Sequence, residues 1–256
     1  MRKNEYEFYQ KVKNWDFSMI KSENETLTNW NMYSILNETA NENSVILDLG
    51  TGGGEKVLKF FPKSKEIIAT DYSEEMIKTA RTNLANSSRK NENIKFEIMD
   101  NLNMNVQKNF FDIVVARHTI TDAKQIYNSL KEGGKLILRG VDKLDCWALK
   151  KQFNKGQAYR DEKSISFIDY ENILDAGFKD VELVPIHVRE YLKSKNDLLA
   201  LLYKVPILDD MSEEDTDQNY ERTEIDEAII DKYISTNTYE KGILLIRRYY
   251  GITARK

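Results

Sequence analysis

The fold of this chain is decided by the stretch Val45-Ile-Leu-Asp-Leu-Gly-Thr-Gly-Gly-Gly54. It begins as a short, mostly apolar run, which is typical of a β-strand buried on both faces. It then turns through four glycines, and Val57, Leu58 and Phe61 follow at the spacing of one helix face. Glycines at such a turn let the backbone bend and let a ligand approach without meeting a Cβ atom. A strand, a glycine turn and a helix together predict a ligand site at the carboxyl end of the strand.

The same alternation of strand and helix continues along the chain. Further apolar runs, rich in Val and Ile, cover residues 66–70, 94–99, 111–116 and 135–141. The clearest helical pattern between them follows Ser73, a candidate N-cap, with apolar residues on one face: Met76, Ile77, Ala80 and Leu84. Such alternation predicts an α/β fold with a parallel sheet and right-handed crossovers.

Composition excludes several classes of protein. The 256 residues carry 38 basic and 42 acidic side chains, a net charge of −4, so an overall basic footprint for nucleic acid is missing. Cys146 is the single cysteine, which excludes an internal disulfide framework. Residues 1–10 are too polar for a signal peptide, and no apolar run is long enough for a membrane span. These features predict a cytoplasmic protein with no membrane partner.

The spacing of the glycine turn argues against two nucleotide-binding classes. Counted from Gly50, the third position of a dinucleotide fingerprint is Glu55, whose charge opposes a phosphate. A P-loop is excluded because no Gly-Lys-Ser/Thr follows. The spacing is instead Asp48-x-Gly50-x-Gly52-x-Gly54. An acidic rim of this kind suits a cofactor with hydroxyl, ammonium and sulfonium groups.

This stretch resembles the first motif of the class I S-adenosylmethionine-dependent methyltransferases. Further segments similar to the family's motifs follow in order: Ile68–Met76, Met99–Leu102, Phe110–His118, Ser129–Leu138 and Ile173–Phe178. The resemblance covers about residues 45–191. The fourth motif lacks the Asn/Asp-Pro-Pro-Tyr/Phe of enzymes that methylate base amino groups, which disfavours that substrate and leaves other nucleic-acid chemistry open.

The resemblance implies the architecture of the whole chain. We expect a Rossmann-like, seven-stranded, mostly parallel sheet with helices on both faces and an antiparallel last strand. The predicted units are a helical N-terminal cap (1–40), the cofactor-binding core (41–192), a helical insertion over the substrate site (193–240) and the final strand (241–256).

The resemblance also implies S-adenosyl-L-methionine as the cofactor. Asp71 corresponds to the carboxylate that accepts both ribose hydroxyls, and Asp100 to the one that takes the adenine amino group. The full predicted set of cofactor contacts is Asp48, Gly50, Thr51, Gly52, Asp71, Tyr72, Met76, Asp100, Asn101 and Arg117. No metal site is predicted, because neither histidine has a neighbour at metal-ligand spacing.

Several of these residues keep two interpretations. Asp48 either holds the loop by accepting hydrogen bonds from its amides or contacts the ammonium group of the cofactor. Arg117 either binds the methionine carboxylate or makes a surface ion pair. His118 lies where the fourth predicted core strand meets the crevice, so it is either a catalytic base or a structural histidine.

Three functions remain compatible with the sequence. The first is methyl transfer to a small-molecule acceptor by in-line displacement, favoured by the acidic charge and the cap segments. The second is an RNA- or protein-directed methyltransferase, which a broad positive face around residues 143–163 would support. The third is a protein that binds the cofactor without catalysis. The sequence leaves the oligomeric state open.

Overall fold

The computed structural model describes residues 17–209 and 224–256. The strands found there are β1 Ser22–Thr26, β2 Val45–Leu49, β3 Glu66–Asp71, β4 Ile94–Ile98, β5 Phe111–Arg117, β6 Leu130–Val141, β7 Lys179–Leu192, β8 Thr238–Tyr239 and β9 Gly242–Arg255. The helices are α1 Met32–Thr39, α2 Glu55–Phe60, α3 Glu74–Ala85, α4 Ala123–Ser129, α5 Trp147–Phe153, α6 Ile165–Ala176, α7 Lys195–Lys204 and α8 Glu227–Asn237.

All described strands join one sheet, in the order β1-β7-β9-β6-β5-β2-β3-β4, with β8 paired to β9. The strands from β6 to β4 run parallel, and β9 runs antiparallel to both β6 and β7. The predicted α/β class, the mostly parallel sheet and the antiparallel last strand are therefore confirmed. The order reverses beside β2, so the turn after β2 lies at the crevice where open sheets bind ligands.

The predicted number of seven strands is too low, because β1 and β8 extend the sheet to nine. β1 lies inside the predicted helical cap, where it pairs with Val188–Leu192 of β7. Its sequence, Ser-Glu-Asn-Glu-Thr, is almost wholly exposed and shows no apolar pattern, so only its backbone pairing makes it a strand. β8 is a two-residue strand in a hairpin with β9. Residues 1–16 and 210–223 of the predicted cap and insertion lie outside the described residues.

Helices cover both faces of the sheet, because neighbouring side chains of a strand point to opposite faces. In β2, Leu47 and Leu49 belong to the apolar cluster that includes α4 and α6. Ile46 belongs to the other cluster, which includes α1, α2 and α3. Asp48 shares the face of Ile46 and therefore points toward α1 and α2. Ser73 caps α3 as expected, with its hydroxyl accepting a hydrogen bond from the Met76 N–H.

Two long strands carry the chain beyond the central sheet. β6 pairs with β9 only over the segment from Tyr249 to Arg255, whereas β7 pairs with β9 from Ile243 onward. The extended ends of β7 and β9 pack with α5, α7 and α8 in a third apolar cluster. This cluster places helices beside the carboxyl ends of β5 and β6. None of the described helices combines the length and apolarity that crossing a bilayer requires.

Candidate active site

The glycine turn after β2 has a conformation that requires glycine. Gly50, Gly52 and Gly54 have φ values of +73°, +58° and +77°, in the left-handed region that residues with a Cβ atom rarely adopt. A Cβ atom on Gly50 would lie 2.7 Å from Cβ of Thr119, and one on Gly54 would lie 2.7 Å from Cζ of Phe96. The absence of side chains on these glycines therefore lets the turn pack closely against Thr119 and Phe96.

Asp71, at the end of β3, fastens this turn. Its Oδ2 accepts a hydrogen bond from the Gly52 N–H at 2.8 Å, and its Oδ1 accepts one from the Ser73 N–H at 2.9 Å. Burial raises the pKa of Asp71, and these backbone donors oppose that rise. A carboxylate has about four acceptor positions, so two amide donors leave capacity for the hydroxyls of a ligand.

Asp48 lies under the turn and is 6% exposed. Burial raises its pKa to about 7, and the hydroxyl of Thr51 in the turn and the Arg117 guanidinium oppose the rise. Among the described residues, no loop amide donates a hydrogen bond to its carboxyl group. The first interpretation from sequence, a carboxylate that holds the loop amides, is thus not what these residues show. A cation placed beside Asp48 would favour its charged form.

The turn after β4 brings a second pair of predicted residues to the same edge. Asp100 accepts a hydrogen bond from the Leu102 N–H at 2.9 Å. Asn101 is buried, and its Nδ2 donates to Oγ1 of Thr119 at 2.9 Å. Its Oδ1 is buried without a hydrogen-bond partner. A buried, unpaired acceptor is costly, so this oxygen marks a place where a donor from a ligand would be stabilised.

Two other predicted contacts lie at different depths. Tyr72 follows Asp71 at the rim and is 39% exposed, whereas Met76 is almost fully buried in the first turn of α3. The observations around the turn fit an adenosyl cofactor, because side-chain-free backbone, an orphaned acceptor and a buried carboxyl group occur together. Asp71, Asp48 and Asn101 offer acceptors to the hydroxyl, ammonium and amino donors of such a group.

A cavity of about 440 Å³ adjoins the carboxyl ends of β5 and β6. Thr119, which packs on Gly50, follows His118, which lines the cavity, so the chain at 118–119 connects the turn to the cavity. Its lining includes Phe17, Ile20 and residues of β1, together with Leu201 and Val205 at the end of α7. Its polar lining residues are Ser22, Asn24, Thr26, His118, Arg139, Glu190, Arg247 and Tyr249.

His118 has a φ of +52°, which is unusual for a residue with a side chain. Its ring stacks on Tyr249, with centroids 5.4 Å apart and planes inclined by 10°. Its Nε2 lies 2.8 Å from Nη1 of Arg139. Arginine only donates, so Nε2 accepts this hydrogen bond. Burial and the surrounding arginines hold the pKa of His118 well below its usual value, which makes the imidazole neutral at pH 7.

Arg139 and Arg117 are paired residues on adjacent strands β6 and β5. Arg139 was not predicted as a site residue. Its position near the end of a buried apolar run, as for Arg117, could have indicated that it lies at the same edge of the sheet. The Cζ of Arg139 lies 4.1 Å from the centroid of the Tyr249 ring. Neither arginine has an acidic partner within ion-pair distance in the part of the chain that the structure describes. The second interpretation of Arg117, a surface ion pair, is thus not seen there.

Arg247 contrasts with these two arginines because it is fully paired. Its Nε donates to Oδ1 of Asp145 at 3.0 Å, and its Nη1 donates to Oε2 of Glu190 at 2.7 Å. All three residues of this ion-pair network are at most 9% exposed. The sequence analysis missed Arg247, Glu190 and Tyr249, since charged and aromatic residues on long strands carry no local pattern that points to a site.

Of the basic residues between 143 and 163, three are buried or paired, whereas Lys151 and Arg160 are exposed. Lys150 is 1% exposed and donates to the backbone carbonyls of Lys143 and Gln157. Lys143 donates to the carbonyl of Asp161, and Lys163 pairs with Glu171 on α6. Elsewhere in the described chain, no three His, Cys, Asp or Glu side chains come together to hold a metal ion.

The fold and the turn define a Rossmann-like methyltransferase. Comparison with protein families supports this directly, since the model of a methyltransferase domain matches residues 40–200. The chain belongs to this family, and the predicted class, an S-adenosylmethionine-dependent methyltransferase, is confirmed. A search of curated proteins gives no match.

Solved structures share the fold at low sequence identity. A provisionally assigned methyltransferase of Bacillus halodurans C-125 is 18% identical, with 88% of this chain and 98% of that chain covered and a TM-score of 0.56. The YcgJ protein of Bacillus subtilis is 16% identical, with coverage of 88% and 97% and a TM-score of 0.53. Phosphoethanolamine N-methyltransferase 2 of Haemonchus contortus, solved with S-adenosyl-L-methionine, is 18% identical, with coverage of 89% and 52% and a TM-score of 0.50.

Proposed function

We propose that this protein methylates a small-molecule acceptor bound in the cavity beside the glycine turn. The observation that carries the proposal is the cavity itself, which segments from distant parts of the chain line together. β1 and the residues just before it contribute to the lining, and so does the end of α7, in the predicted insertion. A volume of about 440 Å³ lies at the lower end of the range of small-molecule sites. A folded polymer would need an open trough instead.

The geometry of the turn supports the predicted cofactor contacts. We propose that Asp71 accepts the ribose hydroxyls, that Asp100 and Asn101 hold the adenine end, and that Asp48 faces the ammonium group. Arg117 is proposed to bind the methionine carboxylate. The other predicted contacts are backbone or rim positions of the same turns: Gly50, Thr51, Gly52, Tyr72 and Met76. When bound, S-adenosylmethionine supplies an electrophilic methyl group that an acceptor takes by in-line displacement.

The chain's own part in the reaction is to position the acceptor and exclude water. Close approach in a fixed orientation is the main requirement of such a transfer. Tyr249 contributes an aromatic ring to the lining of the cavity and stacks on His118. His118 is proposed to face the acceptor as a neutral imidazole. Because its Nε2 accepts from Arg139, it can take a proton from the acceptor only when that hydrogen bond is released.

An RNA or protein substrate is the main alternative, and the burial or pairing of Lys143, Lys150 and Lys163 reduces the positive charge that this segment could offer it. We propose no membrane partner. The predicted cytoplasmic location stays a prediction.

The test uses tritiated S-adenosylmethionine and a cell extract divided into small molecules, RNA and protein. We expect enzyme-dependent label in the small-molecule fraction. Label in RNA or protein alone would contradict the proposal, and absence of transfer with tight cofactor binding would indicate a non-catalytic protein. Asp71→Asn should lose transfer, whereas Asp175→Asn, an exposed residue on α6, should keep it.

A further inference from the structure

The cavity holds a guanidinium group that no acidic side chain within residues 17–209 and 224–256 neutralises. Arg139 lines the cavity, and the only hydrogen-bond partner of its guanidinium in the described residues is the neutral His118. The two acidic groups nearby, Asp145 and Glu190, are already occupied by Arg247. The remaining N–H donors of Arg139 have no partner in the described part of the chain.

Burial makes this arrangement unfavourable without a ligand. It lowers the pKa of Arg139 to about 10, and the positive charges of Arg117 and Arg247 add to that effect. Arg139 is half-buried, and arginines withdrawn from water are normally paired. Its guanidinium is instead positioned over the Tyr249 ring and by the hydrogen bond to His118, which leaves its other donors beside the acceptor space.

We propose that the methyl acceptor carries a carboxylate or phosphate group and that Arg139 binds it. This inference rests on the proposed function, since it assumes that the acceptor occupies this cavity. A planar guanidinium matches either anion with two parallel hydrogen bonds. Arg139 therefore determines specificity: it selects an anionic acceptor and orients the opposite end of that molecule.

The chain contains an internal reporter for anion binding. It has two histidines, His118 and His187, so the imidazole signals in an NMR spectrum are few. The Nε2 of His118 lies 2.8 Å from Nη1 of Arg139. His187 is on β7, where it lies opposite Arg248 of β9 in the strand register. An anion on Arg139 changes the electric field at His118 and leaves His187 as the control signal.

The first experiment titrates the whole protein with inorganic phosphate, and separately with acetate, at constant ionic strength. We expect saturable shifts of the His118 ring nitrogens, with His187 unchanged. Arg139→Gln should weaken the apparent affinity at least tenfold, and Arg139→Lys should lie between. Arg255→Gln, at the exposed far end of β9, is the matched control and should titrate like the wild type.

The outcome of this titration decides whether Arg139 is an anion site. An absence of saturable shifts in the wild type would overturn the inference. Equal titration of Arg139→Gln, shown to be folded by an unchanged urea midpoint, would overturn it as well.

The second experiment separates this inference from the proposed function. The small-molecule extract is split on an anion-exchange column before incubation with tritiated S-adenosylmethionine. Label in the retained fraction supports the inference, and Arg139→Gln should raise the KM for that acceptor at least tenfold with a smaller change in kcat. Label only in the flow-through overturns the anionic acceptor but keeps the proposed function. Label only in RNA or protein overturns both.

Discussion

Replacing Asp48 by asparagine should stabilise the free protein, and this is the sharpest consequence of the site geometry. The pKa of Asp48 rises from its ordinary value of 3.8 to about 7 because the carboxyl group is buried. The folded protein therefore holds this proton more tightly than the unfolded chain, and the free energy of unfolding falls as the pH rises from about 4 to about 7. Above that window the charged group is fully destabilising.

The size of the effect follows from the pKa values. A rise of this size lowers the free energy of unfolding by about 4 kcal/mol at pH 8. At pH 5, where the unfolded chain is ionised and the folded protein is not, it lowers it by about 2 kcal/mol. The asparagine amide must itself be hydrogen-bonded, which offsets about 1 to 2 kcal/mol at both pH values. We expect Asp48→Asn to gain about 2 to 3 kcal/mol at pH 8 and little at pH 5.

The assay is urea unfolding of wild type and Asp48→Asn at both pH values, with Asp175→Asn as the exposed control. Adding S-adenosylhomocysteine should stabilise the wild type more than Asp48→Asn, because the ligand ammonium would favour the charged carboxylate. A variant that is less stable than the wild type at pH 8, or a difference independent of pH, would refute the reasoning about Asp48.

Three further predictions concern the turn and the ion-pair network. Asp71→Asn should weaken binding of S-adenosylhomocysteine about tenfold or more, by calorimetry, since the carboxylate accepts both from the Gly52 amide and, as proposed, from the ribose; unchanged affinity would exclude Asp71 from the cofactor site. Gly50→Ala should lower the free energy of unfolding by about 2 to 4 kcal/mol, because its φ is +73° and a Cβ atom would overlap the adjacent threonine; a loss of less than about 1 kcal/mol in urea unfolding would contradict the geometry of the turn. Asp145→Asn should cost about 3 kcal/mol, since Arg247 would keep one of two buried acidic partners; an unchanged thermal midpoint would show that the pair contributes no stability.

The parallel core and its glycine turn were predictable because each depends on a short run of residues. β2 and β3 are apolar enough to be recognised as buried strands, and the turn at 50–54 uses glycines where the backbone requires them. Asp71 could be placed for the same reason, since it directly ends a buried strand. Such strands can be recognised from local sequence because the sheet buries both of their faces, which requires a continuous apolar run.

The acceptor side could not be predicted in the same way. Arg139, Glu190 and Tyr249 come from three strands far apart in sequence and meet only through the order β7-β9-β6. β1 was missed because an exposed edge strand needs hydrogen-bonding partners but no apolar pattern. Arg247 has acidic partners and Arg139 has none among the described residues. This difference depends on which carboxylates the fold brings near, so the sequence does not show it.

The added edge strand has a consequence for behaviour at high concentration. β1 lies at the edge of the sheet, and its Glu23 and Glu25 form ion pairs with Lys193, just after β7, and Lys241, just before β9. An unpaired strand edge can pair with another chain, and charged side chains along that edge oppose such pairing. The five residues of β1 cover Val188–Leu192 of β7 with a charged edge strand, so we expect the segment that helps to line the cavity also to oppose aggregation through this edge.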